Sequence, residues 1–222
     1  MCLILFAYKV VPGCPLVLAA NRDEWFSRPA APAAFWPDHP DILAGRDLQA
    51  GGTWLGVSTQ GRFAALTNFR NPADRRIDAP TRGALVSTFL TGTVSARAFI
   101  HELGGNAAAY NGFSMLAGDA SGLFCYSNRG GAPVEVQPGI HGLSNHLLDT
   151  PWPKVVKGCS GLEKLLAKEY RPRDHLDLMD DSVPLEERSL PQGEPTQDWE
   201  RSLSSMRIMK GCLLYTSPSP RD

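Results

Sequence analysis

Two apolar runs, residues 2–10 and 15–20, open the chain, and Val11-Pro12-Gly13-Cys14 lies between them. Short β-rich runs joined by a Pro-Gly pair predict a hairpin. A second hairpin is predicted from Gly51-Gly52-Thr53-Trp54-Leu55-Gly56-Val57 and Arg62-Phe63-Ala64-Ala65-Leu66-Thr67-Asn68, turned at Thr59-Gln60-Gly61. Between the hairpins, the stretch from Pro29 to Pro40 is rich in proline and alanine, and its prolines predict an ordered surface loop.

The spacing then lengthens. One helix is predicted from Pro80, a good first-turn residue, to Leu90, and another from a Ser95 cap to Gly104-Gly105. Short strands follow at 112–117, 123–127, 134–136 and 140–144, separated by Gly, Asn or Asp. Thr150-Pro151 reads as a cap and first residue of a helix reaching Lys168, and Asp174 as the cap of a shorter one. Residues 182–197 are acidic and proline-containing, which predicts exposure. Hairpins, helices, hairpins and helices in that order give an α+β protein, with antiparallel sheets covered by helices.

Composition narrows the class. At 222 residues, 43% apolar and 20% charged, the chain suits one globular domain with a substantial core. A net charge of −1 with scattered Lys and Arg offers no basic patch for nucleic acid or anionic membrane. No apolar run is long enough to span a bilayer, and Lys9 breaks the N-terminal one, against a signal peptide. Five cysteines without a C-x-x-C pair predict free thiols in a reducing, cytoplasmic setting and argue against a zinc site. The last eleven residues, CLLYTSPSPRD, back-translate to a sequence resembling a transposase adaptor of a sequencing library. The expected division is therefore a single domain over 1–211 and a non-native tail over 212–222, with the native C-terminal segment missing.

The candidate chemistry starts at Cys2. Removal of Met1 before a small residue would give Cys2 a free α-amine, whose ordinary pKa of ~7.7–8.0 lets it serve as a base. A thiol with an ordinary pKa of ~8.5 is only partly ionised at neutral pH, so nearby positive charge would matter. Ala20-Asn21-Arg22-Asp23-Glu24 closes the second predicted strand. Charge at a strand end reads equally as solvated loop, but a hairpin returns this cluster to the start of the first strand, beside Cys2. Asp23 could then hold the amine, and Arg22 could favour a thiolate. Two further strands end in asparagine, at Asn68 and Asn145, and each amide could donate to an oxyanion. A turn asparagine bonding its own backbone is the commoner case. His39, His101 and His146 are weaker candidates, and no serine elbow, P-loop or dinucleotide fingerprint is present.

Taken together, MCLILFAY, PLVLAANRDE, RPAAPAAFW, LAGRDLQAGGTWLGV, GRFAALTNFRNP and GLSNHLLDTPWPK resemble the NRDE family, which takes in the transport and Golgi organisation protein 2 homologues. The family pattern is in turn similar to the cysteine-type N-terminal-nucleophile hydrolases, the penicillin V and bile-salt acylases. That resemblance implies a four-layer αββα sandwich. It implies Cys2 as nucleophile, Asp23 beside the α-amine, Asn145 in the oxyanion hole and Asn68 as a second donor. Arg22 fits the acylase arginine loosely, because that arginine stands three residues before the aspartate. Family members also continue into a Gly-Thr-Arg-Ser-Ser strand whose arginine would complete the site.

The expectation is an N-terminal-cysteine hydrolase of a non-peptide amide C–N bond that uses no cofactor. The competing expectation is a non-enzymatic carrier of haem or a lipid-like ligand, with Cys2 and His146 as ligands. On either reading the partner is a small molecule, with no nucleic acid and no membrane span.

Overall fold

The computed structural model describes residues 2–25, 27–71, 76–168, 171–184 and 204–208. Met1, most of the acidic stretch after residue 184 and the tail from Cys212 lie outside the described residues. The first hairpin forms as expected: β1 (Cys2–Val11) pairs antiparallel with β2 (Cys14–Arg22), turning at Gly13, whose φ is 74°. The chain continues through β3 (Ala30–Trp36), β4 (His39–Asp47), β5 (Leu55–Ser58) and β6 (Phe63–Asn68). Then come α1 (Gly83–Thr91), α2 (Ala96–Asn106), a 3-10 turn, β7 (Phe113–Asp119), β8 (Gly122–Ser127), β9 (Val134–Glu135) and β10 (Gly139–Ser144). The described elements end with α3 (Pro153–Leu166) and α4 (Pro172–Met179).

Among the described residues, ten strands make two antiparallel sheets. One has the order β10-β1-β2, and the other is a seven-strand meander from β3 to β9. β1 is central in the smaller sheet and buried on both faces from Cys2 to Tyr8, which is why that part of its sequence is an apolar run without alternation. Its side chains still divide by parity. Leu3, Leu5 and Ala7 pack with Val155 and Leu162 of α3 and Met179 of α4. Ile4, Phe6 and Tyr8 pack against Phe63, Ala65, Leu116 and Cys125 of the larger sheet. On the far side of that sheet, α1 and α2 bury Val86, Phe89 and Ile100 against Ala64, Met115 and Phe124. Three apolar layers between four structural layers give the αββα sandwich.

The smaller sheet and α3 touch closely. A Cβ at Gly142 of β10 would lie 2.5 Å from Val155 Cγ1, and one at Gly158 of α3 would lie 2.6 Å from Leu5 Cδ1. At the β3 edge of the larger sheet some apolar side chains stay open to solvent. There Phe35, Leu43 and Val57, neighbours across β3, β4 and β5, remain 55%, 37% and 40% exposed.

Several expectations shift. The proline-rich stretch from Pro29 to Pro40 is not a loop but the β3–β4 hairpin. β3 is an edge strand whose pairing shifts between Ala31 and Ala34, and a proline such as Pro32 is tolerated at that irregularity. Helix α1 begins at Gly83, three residues after Pro80. Helix α3 begins at Pro153 after Trp152, so Pro153 and not Pro151 occupies the first turn. Asp174 lies inside the first turn of α4, where its carboxylate accepts from the Arg171 N–H at 2.8 Å. Ser95 caps α2 as expected, accepting from the Ala98 N–H. The four cysteines at 2, 14, 125 and 159 are free thiols.

Candidate functional site

Register places the site. Cys2 pairs with Arg22 on β2, and Leu3 pairs with Ser144 on β10, so Asn145 arrives beside Cys2 as the next residue. Cys2 shares the parity of Ile4 and Phe6 and faces the gap between the sheets, where it is 8% exposed. Its backbone nitrogen donates to Asn145 Oδ1 at 3.0 Å. Asn145 Nδ2 donates to the Asn68 carbonyl at 3.0 Å, and the Asn145 carbonyl accepts from Arg70 N–H at 2.8 Å.

The segment around Asn145 is stitched between the sheets. Thr67 Oγ1 donates to the Ser144 carbonyl at 3.2 Å, and Ser114 Oγ donates to the His146 carbonyl at 2.7 Å. Ser144 Oγ closes the circuit by donating to the Cys2 carbonyl at 2.9 Å. The Ser144 carbonyl also accepts from the His146 N–H, so backbone and hydroxyl donors together satisfy these carbonyls. The result fixes Asn145 from three directions.

Asp23 follows β2 directly and is 8% exposed, so the charged strand end is not solvated loop. Burial pushes its carboxyl up to about 6, while the terminal ammonium and Lys154 pull the other way. The Asp23 backbone N–H hydrogen-bonds the Cys2 sulfur. Burial is also the dominant influence on Cys2 and raises its pKa, against the lowering effects of the terminal ammonium, the Asp23 N–H and Arg22. Arg22 therefore acts in the expected direction but does not set the outcome. Its guanidinium is shared with Glu24 at 3.4 Å and Asp47 at 3.8 Å, and Asp47 also holds Arg28 at 2.8 Å.

Asn68 enters differently from expectation. The residue is exposed at the end of β6, and the contact to Asn145 is made by its backbone carbonyl, not its side-chain amide. Asn21, the first residue of the NRDE run, is structural: its Nδ2 donates to the carbonyls of Met179 and Met206 at 2.8 and 2.9 Å. His146 bonds Thr150 Oγ1 through Nδ1 at 2.8 Å. Its ring lies between Phe69 and Trp152, with centroids 4.7 and 5.7 Å away. Burial lowers its pKa.

Lys154 was not singled out by sequence reasoning. It sits one residue into α3, is 4% exposed, and its charge acts on Asp23. A proline-flanked lysine ordinarily reads as surface, so nothing local in Trp-Pro-Lys marks it as buried. Among the described residues, no group of three or more His, Cys, Asp or Glu side chains could hold a metal ion, and no helix is long and apolar enough to cross a membrane.

Comparisons with known proteins agree with the architecture. Over 80% of its length the chain superposes on 85% of a Caenorhabditis elegans N-acylethanolamine-hydrolyzing acid amidase orthologue, with a TM-score of 0.52 and 7% identity. At that identity the likeness shows the N-terminal-nucleophile hydrolase fold alone. In sequence, the Transport and Golgi organization protein 2 homologue of Bos taurus is 41% identical over 187 residues, covering 78% of this chain and 66% of the relative. The Homo sapiens homologue is 41% identical over 195 residues, covering 79% and 68%. The Drosophila melanogaster protein is 30% identical over 185 residues, covering 75% and 65%. The chain thus spans about two thirds of the length of the curated relatives it matches. The family model for Transport and Golgi organisation 2 matches residues 1–216, and the chain belongs to that family.

Proposed function

We propose that, once Met1 is removed, the chain is an N-terminal-cysteine amidohydrolase acting on a linear, non-peptide acyl amide. The observation that carries this reading is the 3.0 Å hydrogen bond from the Cys2 nitrogen to Asn145 Oδ1. In the processed protein that nitrogen is an α-amine, held beside its own thiol. A buried thiol with a raised pKa is neutral at rest and needs a base within reach. The amine is such a base, and its ordinary pKa is ~7.7–8.0.

In the proposed reaction the amine accepts the thiol proton as Sγ attacks the substrate carbonyl carbon. Nδ2 of Asn145 carries two N–H groups, of which one is spent on the Asn68 carbonyl. The other donates to the developing oxyanion, a contribution of about 2.7–4 kcal/mol for a single well-placed donor. The ammonium then protonates the leaving nitrogen as the C–N bond breaks, and water hydrolyses the thioester. Asp23 assists by holding the ammonium, and Asn68 by orienting the Asn145 amide through its carbonyl. The choice of an acyl amide draws on the printed description of the acid amidase, which shares the fold.

Intact mass after incubation with an acyl-amide library tests this. Loss of Met1 and an acyl adduct that disappears in Cys2→Ala are expected. Retention of Met1, or the same adduct on Cys2→Ala, would overturn the reading. Haem binding lost in both Cys2→Ala and His146→Ala, with no adduct, would replace it with the carrier.

A further inference from the structure

The loop that begins at Asn145 is closed four residues later. Asp149 N–H donates to the Gly142 carbonyl at 2.9 Å, and Asp149 Oδ1 accepts from Gly142 N–H at 2.9 Å. Asp149 does this in the left-handed region, with φ 55°, a conformation that Asp and Asn tolerate better than most residues. Its second oxygen, Oδ2, lies 2.7 Å from His141 Nδ1, and His141 Nε2 lies 2.9 Å from the Gln137 carbonyl. Phe6 of β1 stacks on the ring at 5.2 Å, and Gly139 leaves it room, since a Cβ there would come within 3.2 Å of Nε2.

With Asp149 ionised, both ring nitrogens of His141 therefore face oxygens that can only accept. A neutral imidazole has one N–H, so either tautomer would point a lone pair at an acceptor. Only the imidazolium satisfies both. We propose that Asp149 is a positioning residue for Asn145, and that the protonated form of His141 is what holds Asp149 in place. The loop from Asn145 to Asp149 is then set from its far end by a charged clamp, while Cys2, Asn68 and Arg70 hold its near end.

Other observations agree. The Asp149 carboxylate, through its hydrogen bond, is the main influence on His141 and raises its pKa; burial opposes this, and the Gln137 carbonyl adds to it. Asp149 also acts on the thiols of Cys125 in β8 and Cys159 in α3. Burial, with Asp149 adding, pushes these thiols up to about 12 and about 11, so both stay protonated and neither competes for the clamp. A raised histidine contributes its grip fully below its ordinary pKa of ~6.5 and loses it as pH rises through the folded value.

Nuclear magnetic resonance on the full chain tests the proposal without requiring turnover. The Asn145 side-chain amide signals, assigned by their loss in Asn145→Ser, should move with pH along the same curve as His141. In Asp149→Asn, the new amide can donate to Nδ1 of a neutral imidazole while Nε2–H serves Gln137, so the part of the Asn145 shift that follows His141 should be lost, leaving only what Asp23 contributes near 6. In Asp149→Gly the backbone keeps its freedom but the clamp is gone, and the signals should be displaced at every pH. Asn145 signals that ignore the His141 titration and are unmoved in Asp149→Gly would overturn the proposal. A second arm rests on the Cys2 nucleophile reading. There the ratio of wild-type to Asp149→Asn acylation rate should fall above the His141 midpoint, by up to about 10²-fold for a misplacement near 1 Å. Absence of any adduct in both proteins would count against the nucleophile, while the resonance arm still decides the clamp.

Discussion

The backbone nitrogen of Cys2 and the side-chain oxygen of Asn145, 143 residues apart in sequence, meet at 3.0 Å in the gap between the two sheets. The same asparagine gives its amide nitrogen to Asn68 on the opposite sheet. One side chain thus ties the start of β1 to the ends of β6 and β10. Its donor and acceptor ends cannot be exchanged, because Cys2 offers a donor and Asn68 an acceptor.

That polarity predicts how substitutions differ. Asn145→Asp keeps an acceptor for Cys2 but sets a carboxylate oxygen against the Asn68 carbonyl. It should lose about 1–3 kcal/mol at pH 7 and recover much of it at pH 4, where a protonated carboxyl can donate. Asn145→Ala should lose at least as much at both pH values. Urea unfolding of the two variants at the two pH values checks this, and a pH-independent loss in Asn145→Asp would contradict it.

Asp23 predicts a pH dependence with a definite sign. Its carboxyl rises from an ordinary 3.8 to about 6 in the folded chain, chiefly through burial. Between those values the native state holds a proton that the unfolded state has released. Stability should therefore fall as pH rises through this window, with the cost complete above about 6. The rise corresponds to about 3 kcal/mol. Asp23→Asn should match wild type near pH 4 and exceed it by up to that amount at pH 7, read from unfolding midpoints. Parallel pH curves for the two proteins would contradict this.

Lys154 opposes the rise, because its ammonium stabilises the Asp23 carboxylate. Lys154→Met should therefore move the Asp23 midpoint above about 6, measured by carboxyl carbon chemical shift. An unchanged or lower midpoint would mean that the lysine acts elsewhere.

Much of this arrangement was visible in residue order. Cys2 stood out by position, and the hairpin brought Arg22 and Asp23 to it because antiparallel pairing returns one strand's end to the other's start. Asn145 was visible as a polar residue ending an apolar strand. Other contributions left no trace. Asn68 works through its carbonyl, which every residue possesses, so no side-chain pattern reports it. Lys154 is buried by tertiary packing that a helix-start motif does not encode. Pro32 disguised a strand as a loop, because its cost vanishes only at an edge, and edges are decided by the whole sheet. The double acceptor environment of His141 required the positions of Gln137 and Asp149 together.

Asn21 separates the NRDE run into two roles. Its amide holds the carbonyls of Met179 and Met206, while the Asp23 backbone N–H meets the Cys2 sulfur. Asn21→Ala should strand both carbonyls at about 1–3 kcal/mol apiece and speed hydrogen exchange in α4. The pKa of Asp23 should be retained. Unchanged exchange in α4 would show that the helix is anchored by other contacts.

The close approach of α3 to β1 gives a prediction for packing alone. A Cβ at residue 158 would meet Leu5 Cδ1, Cδ2 and Cγ at 2.6, 2.8 and 3.2 Å, and Leu5 is fully buried. Gly158→Ala should therefore cost about 1–3 kcal/mol by overpacking, outweighing the gain in helix propensity of up to about 1 kcal/mol. Leu5→Ala alone should cost about 2–5 kcal/mol through the lost apolar contact and the space left behind. In the double variant the new methyl enters space that Leu5 has vacated, so the two losses should not add. Chemical denaturation of all four proteins gives the coupling energy. Simple additivity would show that α3 shifts away from β1 rather than being held against it at residue 158.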